Sequence, residues 1–584
     1  MAELKFSEYI NKSPTLVKKP SMKDVKVAFL SNFTITGLAE TFKVLCYEHG
    51  IFIDCYTAPY NQYQQEILNK SSQLYKFNPD IIFILLDGEQ LFSDFYYFPY
   101  RMSEEQRKQF IENQFKEIKN LISILKENTN AKIVINSFLV PHYSSRGIIE
   151  NKQKNGIRSS IQALNSMLES LSHKNLQLFV FDTSIFCSKI GYENLVDKRL
   201  YYYADMKIAP KALVKLANEY LAYIIPLASM TKKCIVLDLD NTIWGGIIGE
   251  DGIANIKLGP EKDGKPYFGF QKRLLELHER GIILAINSRN NYKEAIDAIK
   301  NHKYMVLKEE HFASIKINWE DKATNIREIA KEVNIGLESM VYIDDDVRNR
   351  EMIKELIPEV FVVEMPNDYA MYPEVIENLK MFNTFNITSE DLNRGKMYLS
   401  QKKREQLKSK VQDLNSFIKM LGIEIDISKA NNFTIPRIAQ LTQRTNQFNL
   451  TTNRYSEEDI KKLASDGNHL VYGVNVKDKF GDNGLTGTFI INKKFKEKWV
   501  IDTFLLSCRV LGRDIEKAML NELISMAHKE GVKELIGKYF PTQKNMQTAK
   551  FYAENGFKHL DENTFLCENP SPTENIDAIS VILN

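Results

Sequence analysis

The sequence predicts an α/β protein that is built from three separate α/β units. Along the first two thirds of the chain, short apolar runs alternate with helix-favouring segments in two successive sets. Alternation of this kind indicates parallel sheets with crossover helices. A third set of β-rich runs follows residue 423. The length of 584 residues is too great for one hydrophobic core, which agrees with several domains.

The first unit, residues 1–228, carries four apolar runs that we predict to be strands. A long helix-favouring segment, 104–129, lies between the second and third of them. We therefore expect a flavodoxin-like parallel sheet with crossover helices. The four runs are VKVAFLS (25–31), DIIFILLD (80–87), AKIVINSF (131–138) and LQLFVFD (176–182).

The second unit, residues 229–385, repeats this alternation and predicts an open Rossmann-like sheet. The charged, helix-favouring segment 386–422 is interpreted as a helical linker. The third unit, residues 423–568, mixes helix-like and β-like runs, and the tail 569–584 is expected to be loose. The apolar runs of the second unit are KKCIVLDLD (232–240), GIILAINS (281–288), SMVYIDDD (339–346) and EVFVVEM (359–365).

Charge and composition narrow the possible partners. The 77 basic and 75 acidic residues leave a formal charge of +2, which gives no field strong enough to indicate nucleic acid or an anionic membrane. No apolar run has the length of a signal peptide or a membrane span. The six cysteines lie far apart, as expected in a reducing compartment. We expect a cytoplasmic protein with small or protein-borne substrates.

Two aspartates follow the first apolar run of the second unit. Alternation along an extended chain places Asp238 and Asp240 on the same side, at the carboxyl end of a parallel strand, where open α/β sheets bind ligands. This arrangement suits a nucleophile next to an acid/base. One carboxylate would attack a phosphoryl group, while the other would protonate the leaving oxygen and later activate water.

Later strand ends supply the cation and the phosphate contacts that this chemistry needs. Asp344 and Asp345 offer hard oxygen ligands for Mg²⁺. Ser288 can donate a hydrogen bond to a phosphoryl oxygen, Lys322 supplies a positive charge, and we place Thr242 in the same phosphate-binding group. The predicted metal ligands are Asp238, Asp240 through its backbone carbonyl, Asp344 and Asp345.

The spacing of these motifs indicates an open site. The intervals from Asp238 to Ser288 and from Ser288 to Lys322 are mostly needed for crossover structure, so neither holds a large cap domain. An uncapped site admits bulky or carrier-bound substrates.

Taken together, these motifs resemble the haloacid-dehalogenase superfamily. The resemblance implies that Asp238 is the nucleophile and Asp240 the acid/base, and it leaves open which member of the Asp344–Asp345 pair contacts the metal. Each motif alone would also fit an aspartate or serine that caps the following helix. Four motifs in this order favour the functional interpretation.

The third unit contains SCRVLGRDIEKAML, which follows a predicted strand and opens a long helix. Arg509, Gly512, Arg513 and the following amides are candidates to hold a pyrophosphate or a pantetheine arm at the helix amino terminus. This string and YAENGF resemble the N-acetyltransferase (GNAT) fold, in which Tyr552 would lie near the acyl group. Coenzyme A and carrier-protein phosphopantetheine are both candidate cofactors, and an ordinary strand-to-helix turn is the alternative.

Cys508 stands at the end of the strand that precedes this helix. A guanidinium and a helix amino terminus nearby are expected to lower the pKa of its thiol and favour a nucleophilic thiolate. The alternative is a small buried apolar side chain.

Long motifs across nearly the whole chain resemble the FkbH-like family, whose phosphatase-like domain is of haloacid-dehalogenase subfamily IIIC. The resemblance implies that a phosphoglyceryl group from 1,3-bisphosphoglycerate is dephosphorylated and loaded as a thioester on an acyl carrier protein for polyketide or related assembly, with Cys508 as the acyl-accepting thiol. The motifs are LDLDNTIWGGIIGEDG, INWEDKATNIREIA, VYIDDDVRNRE, LTQRTNQFNLTTNRY, FGDNGLTG, DTFLLSCRVLGRDIE and PTQKNMQTAKFYAENGF.

The first unit resembles the companion domain of that family, which is related to SGNH hydrolases. Ser31 follows the first strand, where such hydrolases carry their nucleophile, but the stretch YYYADMKIAPKAL has no histidine to act as base. We expect a non-catalytic role. Two alternatives to the carrier-loading function stay open: a phosphatase fused to an acyl-CoA-dependent N-acyltransferase that acts on a sugar or other small molecule, and a non-catalytic scaffold.

Overall fold

The computed structural model describes residues 4–388, 413–572 and 578–584, together with residues 392, 404, 407 and 411. The chain forms two compact units, Met1–Ala228 and Ser229–Asn584. Within the described residues, no helix combines the length and the apolar composition that a bilayer crossing requires.

The first unit contains a five-stranded parallel sheet in the order β2-β1-β3-β4-β5. The four predicted strands are present, and the sequence analysis missed one edge strand, β2. Its strands are β1 (Lys23–Ser31), β2 (Ile51–Thr57), β3 (Ile81–Leu85), β4 (Lys132–Asn136) and β5 (Leu178–Phe181).

The helices of the first unit cover both faces of this sheet, as a parallel sheet requires. The predicted helix at 104–129 begins at a capping box, in which the Ser103 hydroxyl accepts from the Gln106 amide and the Gln106 side chain accepts from the Ser103 amide. The helices are α1 (Phe6–Lys12), α2 (Leu38–Glu48), α3 (Tyr63–Leu68), α4 (Gln73–Phe77), α5 (Gly88–Phe92), α6 (Asp94–Tyr97), α7 (Glu104–Asn128), α8 (Ile157–Ser172), α9 (Thr183–Ile190), α10 (Tyr192–Leu195), α11 (Lys198–Ala204) and α12 (Pro210–Leu227).

The second unit begins with another five-stranded parallel sheet, in the order β10-β9-β6-β7-β8. The strand that carries the aspartate motif, β6, lies at the centre of this sheet. The sequence analysis missed β8, whose FASIKI pattern alternates buried and half-buried residues. The strands are β6 (Cys234–Leu237), β7 (Ile283–Ser288), β8 (Phe312–Ile317), β9 (Met340–Ile343) and β10 (Phe361–Val362).

No cap domain interrupts this sheet within the continuous described range 229–388. Between β6 and the first crossover helix the regular helices are one four-residue α-helix and one 3₁₀ turn, so the carboxyl edge of the sheet stays open on this side. The helices are α13 (Ile248–Asp251), α14 (Lys265–Glu279), α15 (Tyr292–Asn301), α16 (Lys322–Glu332), α17 (Val347–Leu356) and α18 (Tyr372–Glu377).

The remaining sheet is mixed and has the strand order β17-β18-β16-β15-β14-β13-β11-β19, with β12 paired to β15. The pairs β15–β16 and β11–β19 are parallel, and the other pairs are antiparallel. The strands are β11 (Ile423–Lys429), β12 (Phe448–Asn449), β13 (His469–Asp478), β14 (Gly481–Phe495), β15 (Lys498–Leu506), β16 (Glu534–Lys538), β17 (Lys558–Asp561), β18 (Thr564–Glu568) and β19 (Ile579–Leu583).

Helices pack on both faces of the mixed sheet. The helices α20 and α21 cover a core that includes Ile438, Ile460 and Ile490, and α22 covers the opposite core around Met519 and Leu523. The helices are α19 (Leu414–Leu421), α20 (Ile435–Arg444), α21 (Glu457–Ser465), α22 (Ile515–Lys529) and α23 (Phe551–Glu554).

Most of the predicted linker 386–422 lies outside the described residues. The expectation of a loose tail over 569–584 is wrong for its last part, because β19 pairs in parallel with β11 and buries Ile579. The apolar, β-branched run ISVIL completes the sheet at an edge that residues 423–427 would otherwise leave open.

Candidate active site

The predicted site residues of the second unit lie together at the carboxyl edge of its parallel sheet. Asp238 follows β6 directly, Ser288 ends β7, and Asp344 follows β9 directly, while Lys322 is the first residue of α16. The register pairs Leu237 with both Ile286 and Ile343, so these strand ends are adjacent. Strand geometry therefore brings side chains from four separate segments into one pocket.

Asp238 lies in a buried and largely polar environment. Its Oδ1 is 3.0 Å from the Lys322 Nζ, and Ser288 lies next to the same carboxyl group. Burial raises the pKa of Asp238, Lys322 and Ser288 act in the opposite direction, and Asp344 raises the pKa further. The net effect is a raised pKa, which a cation bound next to the group would reverse.

Asp344 is fully buried and its carboxylate already has several donors. The Lys322 Nζ lies 2.6 Å from its Oδ2, the Tyr342 hydroxyl donates to the same oxygen, the Asp346 amide donates to Oδ1 at 2.8 Å, and Asn349 adds a further contact. Burial lowers the pKa of Lys322, but the two aspartates outweigh burial and the net pKa is raised. Lys322 is therefore held as a cation between two carboxylates.

Asp345 has a different environment from that of its neighbour. It is half-buried, and its Oδ1 accepts a hydrogen bond of 3.1 Å from the Thr242 hydroxyl, which also accepts from the Asp345 amide. Burial, together with Asp238 and Asp344, raises the pKa of Asp345 to about 6. One carboxylate oxygen from each of these three aspartates lies within 4.8 Å of the other two, a donor set that suits a divalent cation.

The structure gives Thr242 a contact other than the one predicted. We expected it to bind phosphate, but its fully buried hydroxyl is used by Asp345. Because Asp345 follows a strand about a hundred residues away, the sequence did not reveal this partner.

Asp240 is oriented by three donors. Its Oδ1 accepts from the Trp244 indole at 2.8 Å and from the Ile248 amide at 3.1 Å, and its Oδ2 accepts from the Asn290 amide at 2.9 Å. Asn290 also donates to the Ser288 hydroxyl. Asn290 thus joins Asp240 to Ser288, which lies next to Asp238 in the same pocket.

Sequence reasoning missed several residues that hold these groups in place. The buried Arg350 donates to the backbone carbonyls of Asp344 and Asp345 at 2.8 and 2.6 Å and fixes the turn that carries them. Asn287 donates to the Lys322 carbonyl at 2.9 Å. Asn290 was within reach of prediction, since it is a polar residue two positions after Ser288.

The predicted acyl-binding residues lie in the mixed-sheet domain and do not join the aspartate cluster. Cys508 is half-buried at the end of β15, and its carbonyl accepts a hydrogen bond from Asn334, which follows α16. The Arg509 Nε lies 3.4 Å from the Ser507 hydroxyl. Gly512 has a φ of +73° and open space around its Cα, so it supplies the left-handed turn before α22.

The other two predicted acyl-binding residues are structural. The Arg513 guanidinium is buried 3.4 Å from the Asp478 carboxylate, which Arg404 also binds, so it stabilises a buried ion pair. Tyr552 is 2% exposed among aromatic rings and its hydroxyl has no hydrogen-bond partner within the described residues. Burial raises the pKa of its hydroxyl. Apolar packing of α23 on β16 explains why this tyrosine does not face a ligand.

The edge of β15 next to Cys508 is covered by the chain itself. β15 pairs with β16 only from Lys498 to Ile501, and beyond that point the strand β12 pairs with Leu505 and Leu506. Leu450 extends this contact by donating to the Phe504 carbonyl and accepting from the Phe540 amide. The backbone of β15 at Phe504–Leu506 is therefore already paired within the chain and is not free to bind the amides of a pantetheine arm.

The central strand order, the open carboxyl edge and the clustered aspartates are those of a phosphatase domain of the haloacid-dehalogenase type. The chain is therefore an enzyme with a phosphatase domain of this type, and it also contains the mixed-sheet domain. Residues 26–225 match the family model described as FkbH, N-terminal domain. The resemblance to the FkbH-like family that the motifs indicated is confirmed.

Two comparisons with solved structures cover different shares of the chain. The N-terminal part of a Bacteroides fragilis protein, which contains a phosphatase domain and is complexed with Mg, is 28% identical, with a TM-score of 0.59, and the match covers 66% of this chain and all of that one. A GNAT-family acetyltransferase from Staphylococcus aureus is 11% identical, with a TM-score of 0.21, over 25% of this chain and 99% of that one. No curated protein matches the chain.

Proposed function

We propose that this enzyme takes a phosphoglyceryl group from 1,3-bisphosphoglycerate, removes its phosphate in a Mg²⁺-dependent reaction and loads the glyceryl group as a thioester on an acyl carrier protein. The observation that carries the proposal is the cluster of Asp238, Asp344 and Asp345 next to Lys322, with Asp240 joined to Ser288 through Asn290 at the same edge of the sheet. The Mg-bound phosphatase structure from Bacteroides fragilis supports the choice of metal.

The residues of this pocket have separate tasks in phosphate removal. An Asp238 oxygen attacks phosphorus and forms an aspartyl-phosphate, while the bond to the leaving alkoxide breaks and Asp240 protonates that oxygen. Asp240 then takes a proton from water, which attacks the same phosphorus and releases inorganic phosphate and free Asp238. Lys322 and Ser288 contact the phosphoryl oxygens and offset their charge.

The donor set identifies the residues that would hold the metal. Asp238, Asp345 and the backbone carbonyl of Asp240 are the ligands we propose, because Asp344 is already engaged by Lys322, Tyr342 and two amide groups. A magnesium ion supplies positive charge that lets two anions approach each other. Hard oxygen donors of this kind are those that Mg²⁺ prefers.

Cys508 is the residue we propose as the acyl acceptor in the mixed-sheet domain. Its thiol attacks the acyl phosphate carbonyl, a thioester forms, and inorganic phosphate leaves; the pantetheine thiol of a carrier protein then takes the acyl group and restores the cysteine thiol.

For the first unit we propose a non-catalytic role. The Ser31 hydroxyl is buried and donates to the Phe33 carbonyl at 2.8 Å, while it accepts from the Phe33 amide. These contacts use the hydroxyl in a local turn, and the neighbouring Asn32 pairs with the backbone of Asp87. A nucleophilic serine would instead need a base as partner.

The decisive experiment measures Mg²⁺-dependent phosphate release from a phosphoglyceryl substrate by wild type and Asp238→Asn. We expect the variant to lose at least about 1,000-fold in rate because it cannot form the aspartyl-phosphate. Asp263→Asn, at an exposed position paired with Lys257, is the matched control and should keep full activity. Unchanged turnover in Asp238→Asn would show that this site is not the phosphatase centre.

A further inference from the structure

The mixed-sheet domain contains a cavity of about 320 Å³ that the proposed reaction does not use. It is formed at the hairpin between β14 and β15, the end of β16 and the loop that follows β12. Neither Cys508 nor any of the predicted phosphatase residues lines it. The volume lies within the range of small-molecule sites.

The cavity carries an excess of positive charge. Lys494, Lys498 and Lys538 line it, against one carboxylate, Asp502. Lys498 pairs with Glu534 at 2.9 Å, whereas Lys494 and Lys538 form no ion pair with any described residue. The Asp502 carboxylate already accepts from the Tyr455 hydroxyl at 2.6 Å and from Asn453. An anionic group is the chemical complement of this surface.

A buried hydroxyl provides a second, independent sign of a ligand. Thr451 lines the cavity and is 3% exposed, and its Oγ1 has no hydrogen-bond partner within the described residues. Buried polar groups in folded proteins are nearly always paired. A ligand oxygen or amine in the cavity would satisfy this hydroxyl.

Two aromatic rings of the lining are unusually exposed. Phe495 is 65% exposed and Phe540 is 41% exposed. Exposed phenylalanine rings next to lysines form a surface on which a flat ring can stack while its anionic substituent reaches the ammonium groups.

We infer that this cavity binds a nucleotide, with its base against Phe495 and Phe540 and its phosphate at Lys494 and Lys538. The site is separate from the phosphatase pocket. Its ligand is a phosphorylated molecule with a planar ring, distinct from the three-carbon acyl group that the phosphatase would process.

The test is isothermal titration of the full chain with AMP, adenosine and ribose 5-phosphate as probes. We expect AMP to bind at least tenfold more tightly than either fragment, because both halves of the cavity are needed. The double variant Lys494→Gln/Lys538→Gln should bind AMP at least tenfold more weakly. Lys496→Gln, an exposed lysine of the same hairpin that does not line the cavity, should leave the affinity unchanged.

The inference is independent of the phosphatase proposal, so the variant Asp238→Asn should bind AMP as wild type does. It is overturned if AMP fails to bind at millimolar concentration, if ribose 5-phosphate binds as tightly as AMP, or if Lys496→Gln weakens binding as much as the double variant. Thr451→Val tests the buried hydroxyl, and an unchanged AMP affinity in this variant would also contradict the assignment.

Discussion

At the scale of single residues, the adjacent aspartates 344 and 345 have opposite roles in the structure. The Asp344 carboxylate is buried and saturated by donors that include the Lys322 ammonium. Asp345 has no cationic partner in the described residues, and the pKa of its carboxyl is raised to about 6 by burial and by two neighbouring carboxylates. The same site thus contains one aspartate that positions a lysine and one that is suited to a metal.

We predict that Asp345→Asn abolishes the rise in melting temperature that Mg²⁺ produces, whereas Asp344→Asn retains part of it.

Without metal, the sign of the pH effect on stability follows from the raised pKa of Asp345. The folded state keeps the proton of Asp345 up to about pH 6, but the unfolded state loses it near pH 4. The stability of the wild type therefore falls as pH rises from about 4 to 6.

The measurement is thermal unfolding of wild type and both variants between pH 4 and 8, with and without Mg²⁺. Above pH 6 and without metal, Asp345→Asn should be the more stable protein by roughly 1 kcal/mol, after allowance for partial exposure of the group, and the difference should vanish near pH 4. A variant pattern in which Asp344→Asn alone loses the Mg²⁺ response would reverse the assignment.

The sequence predicted which strand ends meet, but it did not predict the partners of each side chain. Asp238, Ser288 and Asp344 follow apolar runs, and the carboxyl ends of parallel strands converge whatever the crossovers contain. The contact between Thr242 and Asp345 joins residues about a hundred positions apart. Such a contact depends on side-chain rotamers and on the register of β6 against β9, neither of which a motif encodes.

At the scale of elements, three of the strands that the sequence analysis missed lie at the edges of their sheets. β2, β8 and β19 each occupy an end of the strand order. A central strand is buried on both faces and reads as a continuous apolar run, whereas an edge strand is partly solvated and carries polar residues such as Asp54. The pairing of β19 with β11 also joins segments about 155 residues apart, which no local pattern predicts.

The packing of α23 against β16 depends on a glycine. A Cβ on Gly537 would lie 2.6 Å from two atoms of the Tyr552 ring. That ring is 2% exposed and is surrounded by Phe551, Phe557 and Phe565, so it has no room to move. Glycine at this position therefore reflects a close approach between strand and ring, without any need for a positive φ.

We predict that Gly537→Ala destabilises the mixed-sheet domain by about 2 to 4 kcal/mol through overpacking. Tyr552→Phe keeps the ring and removes a buried hydroxyl that lacks a partner, so its stability should equal or exceed that of wild type. Both are measured by urea unfolding followed by circular dichroism. A stable Gly537→Ala, or a strongly destabilised Tyr552→Phe, would contradict this account of the packing.

At the scale of the whole molecule, the second unit separates the phosphatase pocket from Cys508, the proposed acyl acceptor. Asp238 lies at the carboxyl edge of the parallel sheet, next to Lys322 at the start of α16. Asn334, which holds the Cys508 carbonyl, follows the far end of the same helix. With 11 residues at 1.5 Å each, α16 spans about 16 Å. A second contact, the ion pair between Lys544 and Glu338, lies in the turn between α16 and β9.

This separation means that an acyl group on the Cys508 thiol does not face the phosphatase pocket. An acyl intermediate that reacts at both places must move from Cys508 to the phosphatase pocket. In the proposed function, the pantetheine arm of the carrier protein carries it. The open, uncapped phosphatase edge is compatible with a substrate that remains attached to such a carrier. The two centres would then need no direct contact during turnover.

We therefore predict that two inactive variants complement each other. Asp238→Asn should load the phosphoglyceryl group on the carrier without removing phosphate, and Cys508→Ala should remove phosphate from that purified, loaded carrier. Intact-mass measurement of the carrier after each step reports an added phosphoglyceryl group and then the loss of its phosphate. A different outcome is that wild type completes the reaction but Cys508→Ala cannot act on the loaded carrier. The phosphate must then leave before transfer to the carrier. In that case the proposed function stands, but a carrier-bound phosphoglyceryl intermediate is excluded. If wild type neither loads the carrier nor releases phosphate, the proposed function itself fails, so the two failures are distinguished by the same set of masses.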